Sequence, residues 1–108
     1  MYQPPHFRED DLTRQHALIR VNPLGLLLSA GAGGLLANPI PFHLEAAMGE
    51  KGTLRAHLAR ANGQARAIAE GAEVLVVFQG PEAYVTPSWY ATKRETGKVV
   101  PTWNYAIV

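Results

Sequence analysis

The chain has 108 residues, no cysteine and a formal net charge of +1. This length fits one small domain, and the lack of cysteine excludes disulfides, zinc–thiolate sites and thiol chemistry. The basic residues are scattered and form no stripe, so charge gives no support for direct DNA contact. No apolar run reaches the ~18–20 residues of a membrane span, and the N-terminus lacks a signal-peptide layout. We therefore expect a cytoplasmic protein without membrane contact.

Hydrophobic periodicity and turn residues predict six strands and three helices. In chain order these are a helix (10–21), strands (25–30, 35–44 and 53–59), a helix (63–70), strands (74–78 and 84–85), a short helix (87–90) and a strand (99–108). Asp10 or Asp11 is expected to cap the first helix, and Asn62 the second. This order predicts a mainly β fold with α additions, in the form of a small barrel.

Five local features refine this prediction. The run 31–34 predicts a hairpin turn, and Gly80-Pro81 predicts another turn. The apolar run 74–78 indicates a strand buried on both faces. Pro39 and Pro41 cannot donate to a ladder, so their strand is expected at a sheet edge or a bulge, where a ligand can approach. The last strand is apolar to residue 108, which indicates either a covering partner chain or a fragment.

Common catalytic patterns are absent from the sequence. Gly31-Ala32-Gly33-Gly34 lacks the third glycine of a dinucleotide fingerprint. Ser29 and Ser88 are the only serines, and neither lies in a nucleophile elbow. No general acid, base or nucleophile can be assigned, so whether the chain is an enzyme is left open.

The four histidines show no metal-ligand spacing, and no metal site is expected. His6 and His16 are expected at the surface. His43 and His57 lie in predicted strands near the candidate site described next, so both are candidates for ligand contact, and His57 is retained among the site residues.

One local pattern indicates an anion site. Arg60 follows a predicted strand, and Asn62 is expected to cap a helix whose first amide belongs to Gly63. Free amides at a helix start favour an anion, and a guanidinium suits phosphate oxygens. The same pattern is common at helix starts that bind nothing, and this alternative stays open.

Three stretches together resemble a known family. They are 52–62 (GTLRAHLARAN), 78–90 (FQGPEAYVTPSWY) and 100–105 (VPTWNY), and the segments 1–7 (MYQPPHF) and 37–42 (ANPIPF) agree as well. In this order and spacing they resemble the PaiB family of FMN-binding negative transcriptional regulators. The resemblance covers the whole chain, which is similar to the N-terminal half of such proteins.

The resemblance implies an FMN-binding split β-barrel, related to pyridoxamine-phosphate oxidase and incomplete here at the C-terminus. It also implies a homodimer with FMN at the subunit interface. Arg60 and Asn62 would hold the phosphate, and Asn38, Pro41 and Phe42 would lie along the isoalloxazine ring. The pocket would be completed, in part from the partner subunit, by Ser88, Trp89, Lys93, Thr102, Trp103 and Asn104.

Two alternatives to a flavin-binding regulator are kept. The chain could be a flavin-dependent oxidoreductase of unknown substrate, or a degenerate dimerisation domain without cofactor. No helix-turn-helix with a basic recognition helix is visible, so any action on transcription is expected to be indirect.

Overall fold

The computed structural model of the chain describes residues 2–31 and 34–108. Its helices and strands are α1 (Leu12–Val21), β1 (Leu24–Gly31), β2 (Gly34–Glu45), β3 (Thr53–Ala56), α2 (Gly63–Ala69), β4 (Val74–Val77), β5 (Gln79–Val85), α3 (Ala91–Thr96) and β6 (Thr102–Ile107). Single 3-10 turns lie at Pro5–Phe7 and Pro87–Trp89. Strands hold more residues than helices and the main sheet curls into a half-barrel, which confirms the predicted mainly β, split-barrel class.

The first two helices begin at the predicted caps. The side chain of Asp11 accepts a hydrogen bond from the amide of Thr13, and that of Asn62 accepts one from the amide of Gln64. Helix α3 was not predicted, because all six of its residues are exposed and no apolar periodicity marks it. Gly97 ends this helix in the left-handed conformation, with φ at 67°. None of the described helices is long and apolar enough to cross a membrane.

The main sheet has four antiparallel strands in the order β3-β2-β1-β4, and β5 and β6 form a second sheet. Strands β1 and β2 form the predicted hairpin, closed by the pairing of Gly31 with Gly34. The two remaining residues of the predicted turn, Ala32 and Gly33, lie outside the described residues.

The proline-containing part of β2 lies at a sheet edge, as predicted. Within the described sheet, β3 pairs only with residues 42–45 of β2, so residues 34–41 have one unpaired edge. The amide of Phe42 donates to the carbonyl of Pro23, at 2.8 Å. Since amides alternate in direction along an antiparallel strand, Pro39 and Pro41 turn their nitrogens toward the unpaired edge. Their missing N–H groups therefore cost no ladder hydrogen bond.

The predicted turn at Gly80-Pro81 is wrong. These residues lie inside β5, where the pairing with β6 shifts between Gln79 and Glu82 in a bulge. A Cβ atom on Gly80 would lie 3.1 Å from Cδ1 of Leu18, so the glycine allows α1 to pack closely here. The glycine and proline do mark an irregularity in the strand, but it is a bulge and the chain does not reverse its direction there.

The two sheets meet at Phe78. Its amide and carbonyl exchange hydrogen bonds with Val108, at 2.7 and 2.9 Å, so the β5–β6 hairpin continues from the end of β4. The prediction that residues 74–78 are buried on both faces is wrong, because Leu75 is 59% exposed. Only the inner side of this strand is covered.

The core is small and lies on the inner side of the main sheet. It contains Phe78, Leu27 and Ile40, and the ring of Phe42 packs edge-on against Phe78 with centroids 5.6 Å apart. The radius of gyration is 18.2 Å, against about 13 Å for a compact domain of this size. The half-barrel is therefore open and elongated.

The outer side of the main sheet is apolar and uncovered. The strand register puts on this one face the exposed side chains of Leu24, Leu26, Leu35 and Leu75. Exposed apolar area of this kind marks an interaction surface more often than a free one.

His16 is buried, so the expectation that it lies at the surface is wrong. Its Nε2 lies 2.9 Å from the carbonyl oxygen of Lys51. The neighbouring Gly52 has φ at 90°, and a Cβ atom there would lie 3.2 Å from this Nε2. The histidine thus ties α1 to the loop between β2 and β3.

Candidate cofactor site

The predicted site residues fall into two groups in the structure. The first, here the α2 group, lies on β2 and on the connection from β3 into α2; its members are Asn38, Pro41, Phe42, His57, Arg60 and Asn62. The second, here the β6 group, lies between the end of β5 and β6; its members are Ser88, Trp89, Lys93, Thr102, Trp103 and Asn104. In the described part of the chain, no side-chain hydrogen bond joins the two groups.

A buried glutamine organises the α2 group. The side chain of Gln64 is fully buried, and its Oε1 accepts a 2.7 Å hydrogen bond from Nδ2 of Asn38. Its Nε2 lies 3.0 Å from Oγ of Ser29 and 3.1 Å from the carbonyl oxygen of Leu27. A third contact, to the carbonyl of Leu36 at 3.3 Å, is longer, because an amide nitrogen has only two hydrogens to donate.

This glutamine brings the start of α2 against the β1–β2 hairpin. Asn62 stands two residues before Gln64, and its Oδ1 accepts the backbone amide of Gln64 at 3.0 Å. Asn38 and Asn62, predicted separately, are therefore linked through one residue that the sequence analysis missed. A glutamine in the first turn of a short helix is usually solvated, and nothing local marks this one as buried.

Arg60 lies in the turn that precedes α2, beyond the end of β3. The strand was predicted to reach residue 59, but β3 ends at Ala56, and the amide of Asn62 closes the turn on the carbonyl of Ala59 at 2.9 Å. The guanidinium of Arg60 is exposed, and it belongs to none of the ion pairs found among residues 2–31 and 34–108. His57 is also exposed, just past β3.

The cap at Asn62 changes the anion site expected from the sequence. Its side-chain oxygen accepts the hydrogen bond of the Gln64 amide. The amide of Gly63 and Nδ2 of Asn62 are left as donors for an anion. The helix has only seven residues, so its dipole is weak. The charge of Arg60 is then the main attraction for an anion at this corner.

The three residues predicted along the ring differ in what they expose. The ring of Phe42 packs on Phe78 and the amide of Asn38 binds Gln64, so both side chains are engaged inside the half-barrel. Pro41 lies on the opposite face of β2 and is exposed. A ligand along this strand would meet backbone atoms and Pro41, while the side chains of Asn38 and Phe42 support the strand from behind.

The β6 group is much more exposed. Trp103 pairs across the strands with Tyr84, with ring centroids 5.8 Å apart, while Thr102 and Asn104 occupy the opposite face of β6. Nζ of Lys93 lies 3.3 Å from Oγ of Ser88. Both tryptophans are open to solvent, Trp89 at 75% and Trp103 at 59%.

Part of the β6 group lines an open cleft of about 1150 Å³ between the N-terminal segment, α1 and β6. Its wall includes Thr102, Trp103 and Asn104, but no member of the α2 group. Glu9 and Arg14 also line it and form an ion pair at 3.0 Å. The backbone amide of Asp11 and the Arg14 guanidinium hold the pKa of Glu9 below its usual value, and Glu9 in turn raises the pKa of Arg14.

The described residues offer no set of metal ligands. Across the described residues, no group of three or more histidine, aspartate or glutamate side chains is close enough to hold a metal ion.

Comparison with known proteins agrees with this split-barrel architecture. The whole chain, residues 1–108, matches the family described as "Putative FMN-binding domain". The chain belongs to this family, and the resemblance to PaiB-type proteins is confirmed.

Three relatives illustrate this membership. The chain is 36% identical over 127 aligned residues to an uncharacterised protein of Saccharomyces cerevisiae, covering 100% of this chain and 74% of that protein. It is 40% identical over 132 residues to an uncharacterised protein of Emericella nidulans, covering 98% and 53%. It is 32% identical over 111 residues to the Protease synthase and sporulation protein PAI 2 of Bacillus subtilis, covering 100% and 49%. The chain thus spans about three quarters of the yeast relative and about half of the other two.

Proposed function

We propose that this chain binds FMN, with the phosphate at Arg60 and Asn62 and the ring along the unpaired edge of β2. Membership of a family of FMN-binding domains over the whole chain supports the proposal. The observation that carries it is the junction at Gln64, which holds the start of α2 against β2. This junction ties the helix start that follows Arg60 to the strand whose unpaired edge would lie along the planar ring.

The residues present fit this cofactor by their chemistry. The guanidinium of Arg60 can donate two parallel hydrogen bonds to a phosphate, and Nδ2 of Asn62 can donate a third. Bound FMN would supply the redox chemistry of its ring, while the protein supplies position and electrostatics. No acid or base on the chain is needed for binding, so the proposal includes no reaction.

Replacing Arg60 by alanine is expected to weaken FMN binding by about 10- to 100-fold, because charge-assisted hydrogen bonds to the phosphate are lost. Isothermal titration calorimetry of FMN into the wild-type and Arg60→Ala proteins measures this. Arg66→Ala is the matched control, because Arg66 is also exposed and lies one turn along α2. Equal affinities of the Arg60→Ala and wild-type proteins would remove Arg60 from the phosphate role. A purified protein that stays colourless after incubation with FMN and dialysis would overturn FMN binding itself.

We also propose that two copies of the chain associate with FMN at their interface. Two observations support this: the open, elongated half-barrel, and the separation of the β6 group from the α2 group within one copy. A second copy would bring its β6 group to the α2 group of the first. The uncovered leucine face of the main sheet offers further apolar area.

The expected mass in solution is about twice the 11.7 kDa of the chain. Tryptophan is enriched among the few interface residues whose loss costs about 2 kcal/mol or more, so Trp103→Lys is expected to weaken association by about 30-fold or more. Sedimentation equilibrium with FMN present measures both, and Val21→Lys, at an exposed position on the end of α1, is the control. A monomer mass for the wild-type protein across the whole concentration range would contradict the proposal.

A regulatory role, which the family resemblance implies, is proposed as an indirect one. The support is the similarity to the Bacillus subtilis protein, whose name connects that protein with protease synthesis and sporulation. The described helices carry few basic residues, and α3, with Lys93 and Arg94, is only six residues long. A salt-dependent gel shift of promoter DNA by the pure protein would show direct contact and contradict this.

A further inference from the structure

We propose that Gln64 is a positioning residue that makes the site selective for the phosphorylated flavin over riboflavin. This inference rests on the proposed binding of FMN, and it concerns how the chain recognises the one group that distinguishes the two flavins. Gln64 is fully buried and cannot touch a ligand. It would act through Asn62 and through the turn that carries Arg60.

Gln64 is the main anchor of α2 on the sheet. Isolated helices of seven residues are unstable, so packing must set the position of this one. Ala65 and Ala67 are partly buried but small, and Ile68, which is 38% exposed, lies in the second turn. Hydrogen bonds from Gln64 to Asn38 and Ser29, together with the carbonyls of β1 and β2, therefore decide where the first turn lies.

A continuous set of hydrogen bonds leads from this anchor to the phosphate corner. The backbone amide of Gln64 donates to Oδ1 of Asn62, which leaves Nδ2 of Asn62 as a donor for a ligand. The amide of Asn62 in turn binds the carbonyl of Ala59 and closes the turn that contains Arg60. Moving the side chain of Gln64 would shift both proposed phosphate contacts together.

The strand edge proposed for the ring does not depend on Gln64 in the same way. Residues 34–41 of β2 are paired with β1 along their whole length, so this register holds the strand even when its contacts with Gln64, at Asn38 and Leu36, are lost. Loss of the Gln64 hydrogen bonds should therefore disturb the phosphate corner more than the ring edge. A residue with a merely structural role would weaken both flavins equally.

The test compares FMN and riboflavin affinities in Gln64→Met, which keeps the length of the side chain but removes its hydrogen bonds. Misplacing contacts by about 1 Å can cost up to about 100-fold, so we expect FMN to bind about tenfold more weakly and riboflavin to change less than twofold. The ratio of the two dissociation constants, measured by calorimetry below the unfolding temperature, should fall about tenfold. Gln79→Met is the matched control, because the side chain of Gln79 is exposed on β5. In this variant the ratio of the two dissociation constants should stay at the wild-type value.

A second variant keeps the test decisive if Gln64→Met does not fold. Ser29→Ala removes only one acceptor of the glutamine and is expected to lower the ratio by a smaller factor in the same direction. An unchanged ratio in the folded variant, with both affinities reduced alike, would overturn the role of Gln64 while leaving FMN binding intact. Failure of the wild-type protein to bind FMN at all would instead overturn the proposed function.

Discussion

Replacing Phe78 by alanine is expected to lower the free energy of unfolding by about 3–5 kcal/mol, the usual cost of deleting a buried phenylalanine ring. Phe78 is 1% exposed, and its ring packs on Phe42. Its backbone also joins the β5–β6 hairpin to the main sheet through Val108. Domains are typically stable by only about 5–15 kcal/mol, so this variant should be close to unfolding at 25 °C. Urea denaturation followed by far-ultraviolet circular dichroism measures the change.

The control for Phe78 is a second phenylalanine that contributes nothing to the core. Phe7 is 78% exposed, so Phe7→Ala should change the free energy of unfolding by less than about 0.5 kcal/mol. If Phe78→Ala lowered the free energy of unfolding as little as Phe7→Ala, Phe78 would not be at the centre of the core. The junction between the sheets would then need another explanation.

Gly25→Ala is expected to destabilise the chain by about 1–3 kcal/mol through overpacking. A Cβ atom on Gly25 would lie 2.8 Å from Cε1 of Phe78 and 2.9 Å from Cγ1 of Val76, both closer than van der Waals contact. Both atoms lie on the inner side of the sheet, where Phe78 is 1% exposed and its ring has little room to move away. The midpoint of thermal unfolding should fall accordingly.

Gly31→Ala makes the same change in the same strand without the clash. Among the described residues beyond its chain neighbours, no atom lies within 4 Å of the added Cβ, and Gly31 is not among the glycines with positive φ. We expect a neutral or slightly stabilising effect, because alanine restricts the unfolded chain more than glycine does. Equal destabilisation by both substitutions would show that strand propensity, and not crowding against Phe78, accounts for the loss at Gly25.

Features with a local cause were predictable from the sequence. Asp11 and Asn62 are caps because their side chains reach the amide two residues ahead, and this requires no knowledge of the rest of the fold. Pro39 and Pro41 indicated a strand edge because a missing N–H group excludes the same positions in any sheet.

Features that depend on distant residues were not predictable in this way. Gln64 is buried because Ser29 and Asn38, 35 and 26 residues away, supply its hydrogen-bond partners. His16 is buried for a similar reason, since its partner is the carbonyl of Lys51. At Gly80 the sequence indicated an irregularity, but the packing of Leu18 against it decides that this is a bulge.

The candidate site shows the same division. Family resemblance supplied its residues one by one, and the structure links two of them, Asn38 and Asn62, through Gln64, a contact that no residue pattern contains. The β6 group is not joined to the α2 group by a side-chain hydrogen bond among the described residues. Trp103 and Asn104 line the cleft beside α1, and no member of the α2 group lines it. In the proposed dimer a second copy would bring the two groups together, and single-chain patterns carry no information on that arrangement. The roles of all twelve residues stay predictions.

Both tryptophans lie at the solvent-facing surface, one beside α3 and the other on β6, and the core contains only phenylalanine among the aromatic residues. In an unassociated copy their fluorescence should therefore resemble that of indole in water, and unfolding of that copy should shift the emission little. A blue shift or quenching of this emission would instead report that something has covered the surface. The two tryptophans are thus intrinsic fluorescent probes of association. In a thermal melt of an unassociated copy, tryptophan emission alone would give too small a signal to follow unfolding.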